Sequence, residues 1–213
     1  MTPNVTIIDY GMGNLLSICR AFEKVGANVI IANSPEDILA AERLVLPGVG
    51  AFPDGMIELN NRGFVTAIHE YVKKGNFLLG ICLGMQMLFD ESKEIQRTTG
   101  LGLIPGKILK LPLSQSNGHT NKIPHVAWAQ IKGENEKKWQ NSIFTNIEQN
   151  TYMYFVHSFF ALPLSPKDML SITQFGDILF CSAVVKSNVI GTQFHPEKSG
   201  LAGMAILKNF LYF

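Results

Sequence analysis

A cysteine between two glycines separates a run of apolar residues from a helical pattern. Residues 77–81 predict a buried strand and residues 85–89 predict a helix, which places Cys82 at a strand-to-helix junction. Gly80 and Gly84 flank it in the pattern G-x-C-x-G. Such glycines allow a tight turn that holds a nucleophile in a strained, exposed conformation. A buried structural cysteine packed against two glycines is the alternative, and the pattern by itself leaves both interpretations open.

The first half of the chain alternates strand and helix patterns, which predicts a parallel sheet with helices on both faces. Strand-like runs occupy residues 5–9, 29–32, 44–46 and 77–81, and the helical patterns between them begin near residues 15, 35, 56 and 64. In the second half, loops are expected at residues 114–122 and 133–138, and short strands at residues 107–111, 126–131, 152–156, 171–174, 181–185 and 189–193. A closing helix is expected over residues 201–211. We therefore expect one α/β domain spanning residues 1–213, with extra strands in its second half.

The charge balance and the cysteine content exclude several functional classes. A net charge of +1 and a charged fraction of 16% argue against a nucleic-acid-binding protein. No apolar run reaches the ~18 residues that span a bilayer, and the first residues lack the segments of a signal peptide, so we expect a cytoplasmic protein. The three cysteines are widely spaced and form no C-x-x-C motif, which disfavours a disulfide framework and a thiolate zinc site. Cys19 and Cys181 are expected in the core.

A histidine and a glutamate follow the last strand-like run and are separated by one proline. A cysteine nucleophile needs a neighbouring base, histidine titrates near neutral pH, and a carboxylate can fix the orientation of the imidazole. His195 and Glu197 therefore form a candidate pair for Cys82. They are a weak metal-ligand set, because positions i and i+2 share no helical face and no third ligand is evident. A surface turn is the alternative.

Two glycine-containing loops follow strands in the first half. Gly48 and Gly50 could turn backbone N–H groups towards a ligand, as an oxyanion site requires, although an ordinary turn has the same composition. Gly11 and Gly13 match only part of a dinucleotide-binding motif, because the third glycine is missing and no acidic residue ends the next strand. We therefore expect no cofactor.

Together these segments resemble the signatures of class I glutamine amidotransferases. The resemblance is carried by Gly80-Ile81-Cys82-Leu83-Gly84-Met85-Gln86 and His195-Pro196-Glu197. Three more segments are similar to the glutaminase subunit of imidazole glycerol phosphate synthase, namely Asp9-Tyr10-Gly11-Met12-Gly13-Asn14, Pro47-Gly48-Val49-Gly50-Ala51-Phe52 and Tyr154-Phe155-Val156-His157-Ser158. The resemblance spans nearly the whole chain. It implies a flavodoxin-like, three-layer fold with a central, mostly parallel sheet, and neither a metal nor a cofactor.

The resemblance implies a role for each residue of the expected site. Cys82 would attack the side-chain amide of glutamine and form a thioester, His195 would shuttle protons, and Glu197 would orient the imidazole. The oxyanion hole would come from the backbone of Val49, Gly50 and Leu83. The residues implied to bind glutamine are Gly48, Val49, Gly50, Leu83, Gln86, His157, Ser158, Lys198 and Ser199. Those implied at a partner interface are Asn14, Trp128 and Tyr154.

The implied partner is a (β/α)8-barrel synthase subunit that forms a heterodimer with the glutaminase. It would receive the ammonia and make imidazole glycerol phosphate and an aminoimidazole carboxamide ribotide in histidine biosynthesis. One segment departs from the family pattern: Pro-His-x-Gly-Trp-Asn is replaced by Pro124-His125-Val126-Ala127-Trp128-Ala129. Because this strand lies near the partner in the family, the departure leaves open which synthase accepts the ammonia. Amination of a bacterial surface sugar is one alternative, and a non-catalytic binding subunit is another, which the complete set of Cys82, His195 and Glu197 disfavours.

Overall fold

The computed structural model describes residues 2–114, 118–133 and 136–213, and of residue 136 it describes the backbone only. The strands of the first half are β1 (Asn4–Ile8), β2 (Asn28–Ala32), β3 (Arg43–Leu46) and β4 (Phe77–Ile81). The helices among and after them are α1 (Leu15–Lys24), α2 (Pro35–Leu39), α3 (Phe52–Asn61), α4 (Phe64–Lys73) and α5 (Leu83–Met87). These elements follow the predicted order, and Ser34 caps α2 through a capping box with Asp37.

The second half is dominated by strands. They are β5 (Phe89–Ser92), β6 (Thr98–Thr99), β7 (Ile104–Lys110), β8 (His125–Gln130), β9 (Tyr152–His157), β10 (Phe159–Pro163), β11 (Met169–Phe175), β12 (Ile178–Lys186) and β13 (Val189–Thr192). Two helices complete the chain, α6 (Glu136–Gln140) and α7 (Gly200–Tyr212). Short 3₁₀ turns occupy Pro166–Asp168 and Pro196–Lys198.

The main sheet has a parallel half and a mixed half. Its strand order is β2-β1-β3-β4-β13-β12-β10-β7-β5-β6, and β11 pairs with β12 outside this path. The first five strands run parallel in the order of flavodoxin-like folds. Because β13 lies beside β4 with Thr192 opposite Ile81, the residues that follow these two strands meet at one edge of the sheet. Cys82 and His195 therefore come together although they are far apart in sequence.

Helices cover both faces of the sheet, which confirms the predicted three-layer α/β architecture. On one face, Phe22 of α1 packs edge-to-face against Phe210 of α7 within a large apolar cluster. On the other face, the core contains Phe52 and Phe64 from α3 and α4. None of the described helices combines the length and hydrophobicity that crossing a bilayer requires.

Strands β8 and β9 form a separate antiparallel ribbon. His125 is paired with His157 at one end, and Trp128 with Tyr154 near the other. His125 is buried and Trp128 is 53% exposed, so the ribbon turns one face to the core and the other to solvent.

Several local predictions were incomplete. The helix expected at residues 85–89 ends at Met87, and Phe89 begins β5, whose polar residues Asp90 and Glu91 hid its strand character. Strands β6 and β10 were also not predicted. Residues 133–138, expected as a loop, include the start of α6, and residues 134–135 lie outside the described part. In the expected loop over residues 114–122, Ser114 and Thr120 form a bridge, and residues 115–117 lie outside the described part.

Candidate active site

Cys82 occupies the strained junction that the sequence predicts. Its φ of 55° and ψ of −110° are unfavourable for a residue with a side chain, and such strain costs about 1–3 kcal/mol. The backbone N–H of Cys82 donates to the carbonyl oxygen of Thr192 at 2.7 Å, which fixes the turn to the end of β13. The side chain is only 7% exposed and lines a cavity of about 300 Å³, so the thiol is reached through the cavity and does not project from the surface as the motif predicts.

The two glycines of the motif are required by close packing. A Cβ atom on Gly80 would lie 2.8 Å from backbone atoms of Gly84. A Cβ atom on Gly84 would overlap the carbonyl oxygen of Leu46 at the end of β3. The start of α5 can therefore approach the sheet only if both positions lack side chains.

His195 and Glu197 form a buried pair. Nδ1 of His195 lies 2.8 Å from Oε1 of Glu197, and the two side chains are 3% and 0% exposed. Burial alone would lower the pKa of His195, but the neighbouring Cys82 and Glu197 outweigh it and raise the pKa to about 10. Nε2 of His195 has no aligned hydrogen bond to any described residue, including Cys82. The imidazole is therefore held at Nδ1 and has Nε2 available for the reaction, as is common in sites without substrate.

The glycine loop that follows β3 is wedged between two segments. The hydroxyl of Tyr10 donates to the carbonyl oxygen of Pro47 at 2.8 Å. A Cβ atom on Gly48 would lie 2.5 Å from that hydroxyl and 2.8 Å from Cβ of Leu83, and Gly50 has a φ of 104° that favours glycine. Val49 and Gly50 line the cavity beside Cys82, which is where an oxyanion-binding backbone would be needed.

Most residues implied to bind glutamine lie at this cavity. The predicted residues among those lining it are Val49, Gly50, Cys82, Leu83, Gln86, His157, Ser158 and His195. The other lining residues are Glu94, Pro124, Val156 and Phe159, none of which was among the predicted site residues. Oε2 of Glu94 accepts a hydrogen bond from the backbone N–H of Phe52 at 2.7 Å, so this carboxylate fixes the start of α3.

Lys198 and Ser199 are placed differently. Ser199 donates to the carbonyl oxygen of His195 at 2.7 Å and accepts from the backbone N–H of Tyr154 at 3.0 Å, which joins the His195 segment to β9. The Lys198 ammonium lies 5.9 Å from the centre of the Tyr154 ring. Neither side chain lines the cavity, and their assignment to substrate binding stays a prediction.

His157 is held as a neutral imidazole. Burial lowers its pKa to about 3. Its Nδ1 lies 2.8 Å from the carbonyl oxygen of Phe159, so Nδ1 carries the proton, and Nε2 can accept from Nδ1 of His125 at 3.2 Å. Burial also lowers the pKa of His125. The pair therefore contributes neutral hydrogen-bonding groups and no positive charge to the cavity wall.

The residues implied at a partner interface do not line the cavity beside Cys82. Asn14 accepts from the backbone N–H of Ser17 at 3.4 Å and so caps α1. Trp128 and Tyr154 meet edge-to-face on the ribbon, with ring centres 6.0 Å apart. Among the described residues, no group of three His, Cys, Asp or Glu side chains could hold a metal ion.

The sequence did not indicate Gln193. This residue is completely buried, and its Nε2 lies 3.8 Å from Sγ of Cys82. Its position two residues before His195 could have indicated it. Side chains alternate along an extended segment, so positions 193 and 195 lie on the same side.

Comparisons with known proteins agree with this geometry. The model of the family Glutamine amidotransferase class-I matches residues 6–212. Imidazole glycerol phosphate synthase subunit HisH 1 of Legionella pneumophila (strain Lens) is 44% identical over 209 residues, covering 98% of both chains. Subunit HisH of Geobacter metallireducens is 45% identical over 207 residues, covering 97% of this chain and 96% of the relative.

Solved structures show the same fold at lower identity. PurLQS from Thermotoga maritima superimposes with a TM-score of 0.72 at 19% identity, covering 100% of this chain and 99% of the other. A structure described as a glutamine amidotransferase gives a TM-score of 0.73 at 16% identity, covering 97% of each chain. With a strained Cys82, a buried His195–Glu197 pair and relatives at this identity, the chain belongs to the class I glutamine amidotransferases, an enzyme family, and within them to the HisH subunits of imidazole glycerol phosphate synthase.

Proposed function

We propose that this chain hydrolyses L-glutamine to glutamate and ammonia through a thioester on Cys82, and that the ammonia passes to a (β/α)8-barrel synthase subunit. The observation that carries the proposal is the convergence of Cys82, His195 and the Gly48–Gly50 loop on one cavity. A cavity of about 300 Å³ suits an amino-acid substrate, at the lower end of ordinary ligand pockets.

The raised pKa of His195 determines the protonation state in which this residue enters the reaction. At neutral pH the imidazole carries a proton, so a thiolate that forms on Cys82 faces a cation. The thiolate adds to the amide carbon of glutamine, and the negative charge moves to the amide oxygen, where the backbone N–H groups of Val49, Gly50 and Leu83 would bind it. His195 then gives its proton from Nε2 to the leaving nitrogen, and the C–N bond breaks to release ammonia.

Water completes the cycle. Neutral His195 takes a proton from a water molecule, whose oxygen adds to the thioester carbon, and the C–S bond breaks to give glutamate and the thiolate. Glu197 is buried and bonded to Nδ1 throughout, so it holds the imidazole with Nε2 towards the substrate and stabilises the imidazolium form.

The ribbon supports the histidine-pathway assignment of the partner. Val126 and Trp128 are exposed on its outer face, whereas Ala127 and Ala129 alternate with them and point inward. The two positions that depart from the family pattern are these alanines, so the change leaves the outer surface around Trp128 intact. The proposed products of the partner are imidazole glycerol phosphate and an aminoimidazole carboxamide ribotide.

The main experiment measures glutamate release by the chain alone, with the histidine-pathway synthase subunit, and with that subunit plus its nucleotide substrate. Gly48 is packed against Tyr10 and Leu83, but glycine at position 50 lets the backbone there change direction, and one missing oxyanion donor costs about a hundredfold in rate. We therefore expect release to rise at least about a hundredfold from the first condition to the third. Equal rates in all three conditions would refute the coupling and would favour a different acceptor, such as one that aminates a surface sugar.

A binding experiment tests the partner surface separately. Trp128→Ala should weaken the complex about thirtyfold, because exposed tryptophans at the centre of an interface contribute about 2 kcal/mol or more. Leu164→Ala is the matched control, since Leu164 is 80% exposed and follows β10, outside the ribbon. Calorimetric titration with the synthase subunit should distinguish the two variants. Equal affinities would place the partner elsewhere.

A further inference from the structure

One backbone carbonyl determines the orientation of two side-chain amides in the active site. The carbonyl oxygen of Phe159 can only accept hydrogen bonds, and it lies 2.9 Å from one end of the Gln86 amide, which must therefore be Nε2. The same Nε2 lies 3.0 Å from the amide of Gln193, where it needs an acceptor, so that atom is Oε1. The remaining end of Gln193 is consequently its NH₂ group, and it faces Sγ of Cys82 at 3.8 Å.

We propose that Gln193 is a catalytic residue, which donates a hydrogen bond from Nε2 to Sγ of Cys82 and stabilises the sulfur as a thiolate before it attacks. This inference deepens the proposed glutaminase function and rests on it.

Burial makes this donor selective. Gln193 is completely buried, and Sγ is the acceptor that the described residues offer to its Nε2. The backbone N–H of Gln193 donates to the carbonyl oxygen of Ser182 at 2.9 Å, so the main chain is fixed as well. An amide donor buried without a strong acceptor is costly, whereas a donor that faces an anion in a site of low polarity is favourable. The arrangement is thus most favourable when the sulfur is ionised.

The expected gain follows from two opposing effects. At a pH below the pKa of the thiol, a charge-assisted hydrogen bond is strong enough to raise the thiolate fraction about tenfold. A more stable thiolate is also a poorer nucleophile, and a Brønsted slope of about 0.4–0.5 limits that loss to about threefold for the same change. The net advantage at neutral pH is therefore about threefold, and the two effects can be measured separately.

The rate at which iodoacetamide alkylates Cys82 separates the effect on the thiolate fraction from the effect on its nucleophilicity. The modified peptide is quantified by mass spectrometry. Gln193→Met keeps the length of the side chain and removes the donor. We expect its alkylation at pH 7 to be about threefold slower than in the unchanged protein, and about threefold faster at a pH where the thiol is fully ionised. The ratio of the two rates should fall about tenfold. A looser active site without the proposed role would accelerate alkylation at both pH values.

Ser182→Ala is the matched control. Ser182 lies on β12, the strand beside Gln193, and the change removes a buried hydrogen bond of 2.8 Å between the hydroxyls of Ser182 and Ser171. Its rate ratio should stay unchanged. If Gln193→Met does not fold, Gln193→Ala removes the same amide without filling the space, and the same fall is expected. An unchanged ratio in either folded variant overturns the proposal. The alkylation rates are measured with iodoacetamide and do not require glutamine turnover. A protein that fails to hydrolyse glutamine would therefore contradict the proposed function without affecting the test of Gln193.

Discussion

Nδ1 of His195 lies 2.8 Å from Oε1 of Glu197 although the two residues are separated by one proline. The 3₁₀ turn over Pro196–Lys198 makes this possible, because it begins directly after His195 and folds Glu197 back towards the imidazole. Both side chains are buried, so the contact is shielded from salt and water. This local turn therefore holds an oriented imidazolium shortly after the end of β13.

Cys82 is expected to be the essential nucleophile. Cys82→Ala should reduce glutamine hydrolysis by at least about 10⁴-fold, because no other described nucleophile lines the cavity in a strained elbow. Synthesis from added ammonium salts, measured with the synthase subunit, should be retained.

Cys181→Ala and Cys19→Ala serve as controls for this loss. Cys181 is buried and Cys19 is partly buried, and each should cost on the order of 1 kcal/mol in the free energy of unfolding with activity preserved. Residual glutamine turnover in Cys82→Ala would refute the assignment of the nucleophile.

His195 and Glu197 should differ in the severity of their variants. His195→Ala removes the group that transfers the proton and should lower turnover by about 10⁴-fold or more. Glu197→Gln keeps an oxygen that can accept from Nδ1, and removing an orienting carboxylate costs less than removing the histidine itself, so its loss should be at least tenfold smaller. Steady-state glutamate release measures both. A greater loss in Glu197→Gln would reverse the two roles.

The raised pKa of His195 predicts how stability depends on pH. The folded protein binds this proton more tightly than the unfolded chain, whose imidazole titrates near 6.5. Its contribution to stability is therefore complete below about pH 6.5 and is lost as the pH rises through about 10. Urea unfolding at pH 6, 8 and 10 should show a fall in the free energy of unfolding that is smaller in His195→Gln. Parallel curves for the two proteins would contradict the raised pKa.

Gly84→Ala should damage both stability and activity. The added Cβ would overlap the carbonyl oxygen of Leu46, so the start of α5 would have to move away from β3, at a cost of about 3 kcal/mol. Gly13→Ala is the stability control, since its Cβ would meet Pro47 at an ordinary 3.5 Å and should cost less than about 1 kcal/mol. Thermal unfolding should rank the two variants in this order, and equal melting temperatures would show that the elbow tolerates a side chain.

The sequence by itself determined the features that depend on neighbouring residues. Apolar runs located the four strands of the first half, and the helical pattern expected to begin near residue 35 corresponds to α2, which starts at Pro35. The glycines around Cys82 indicated the elbow, and the proximity of His195 to Glu197 in the chain indicated their pair. Each of these patterns reflects local backbone geometry, which a short stretch of sequence fixes.

Only the tertiary structure decided how these parts meet. The parallel pairing of β13 with β4 brings His195 to Cys82, and no local pattern states which strands will be neighbours. The turn after His195 directs Ser199 to the backbone of β9 and away from the cavity. The amide of Gln193 faces Sγ because Phe159, on a different strand, accepts from Gln86. Such orientations arise from satisfying buried hydrogen bonds across distant segments, and that constraint exists only once the chain has folded.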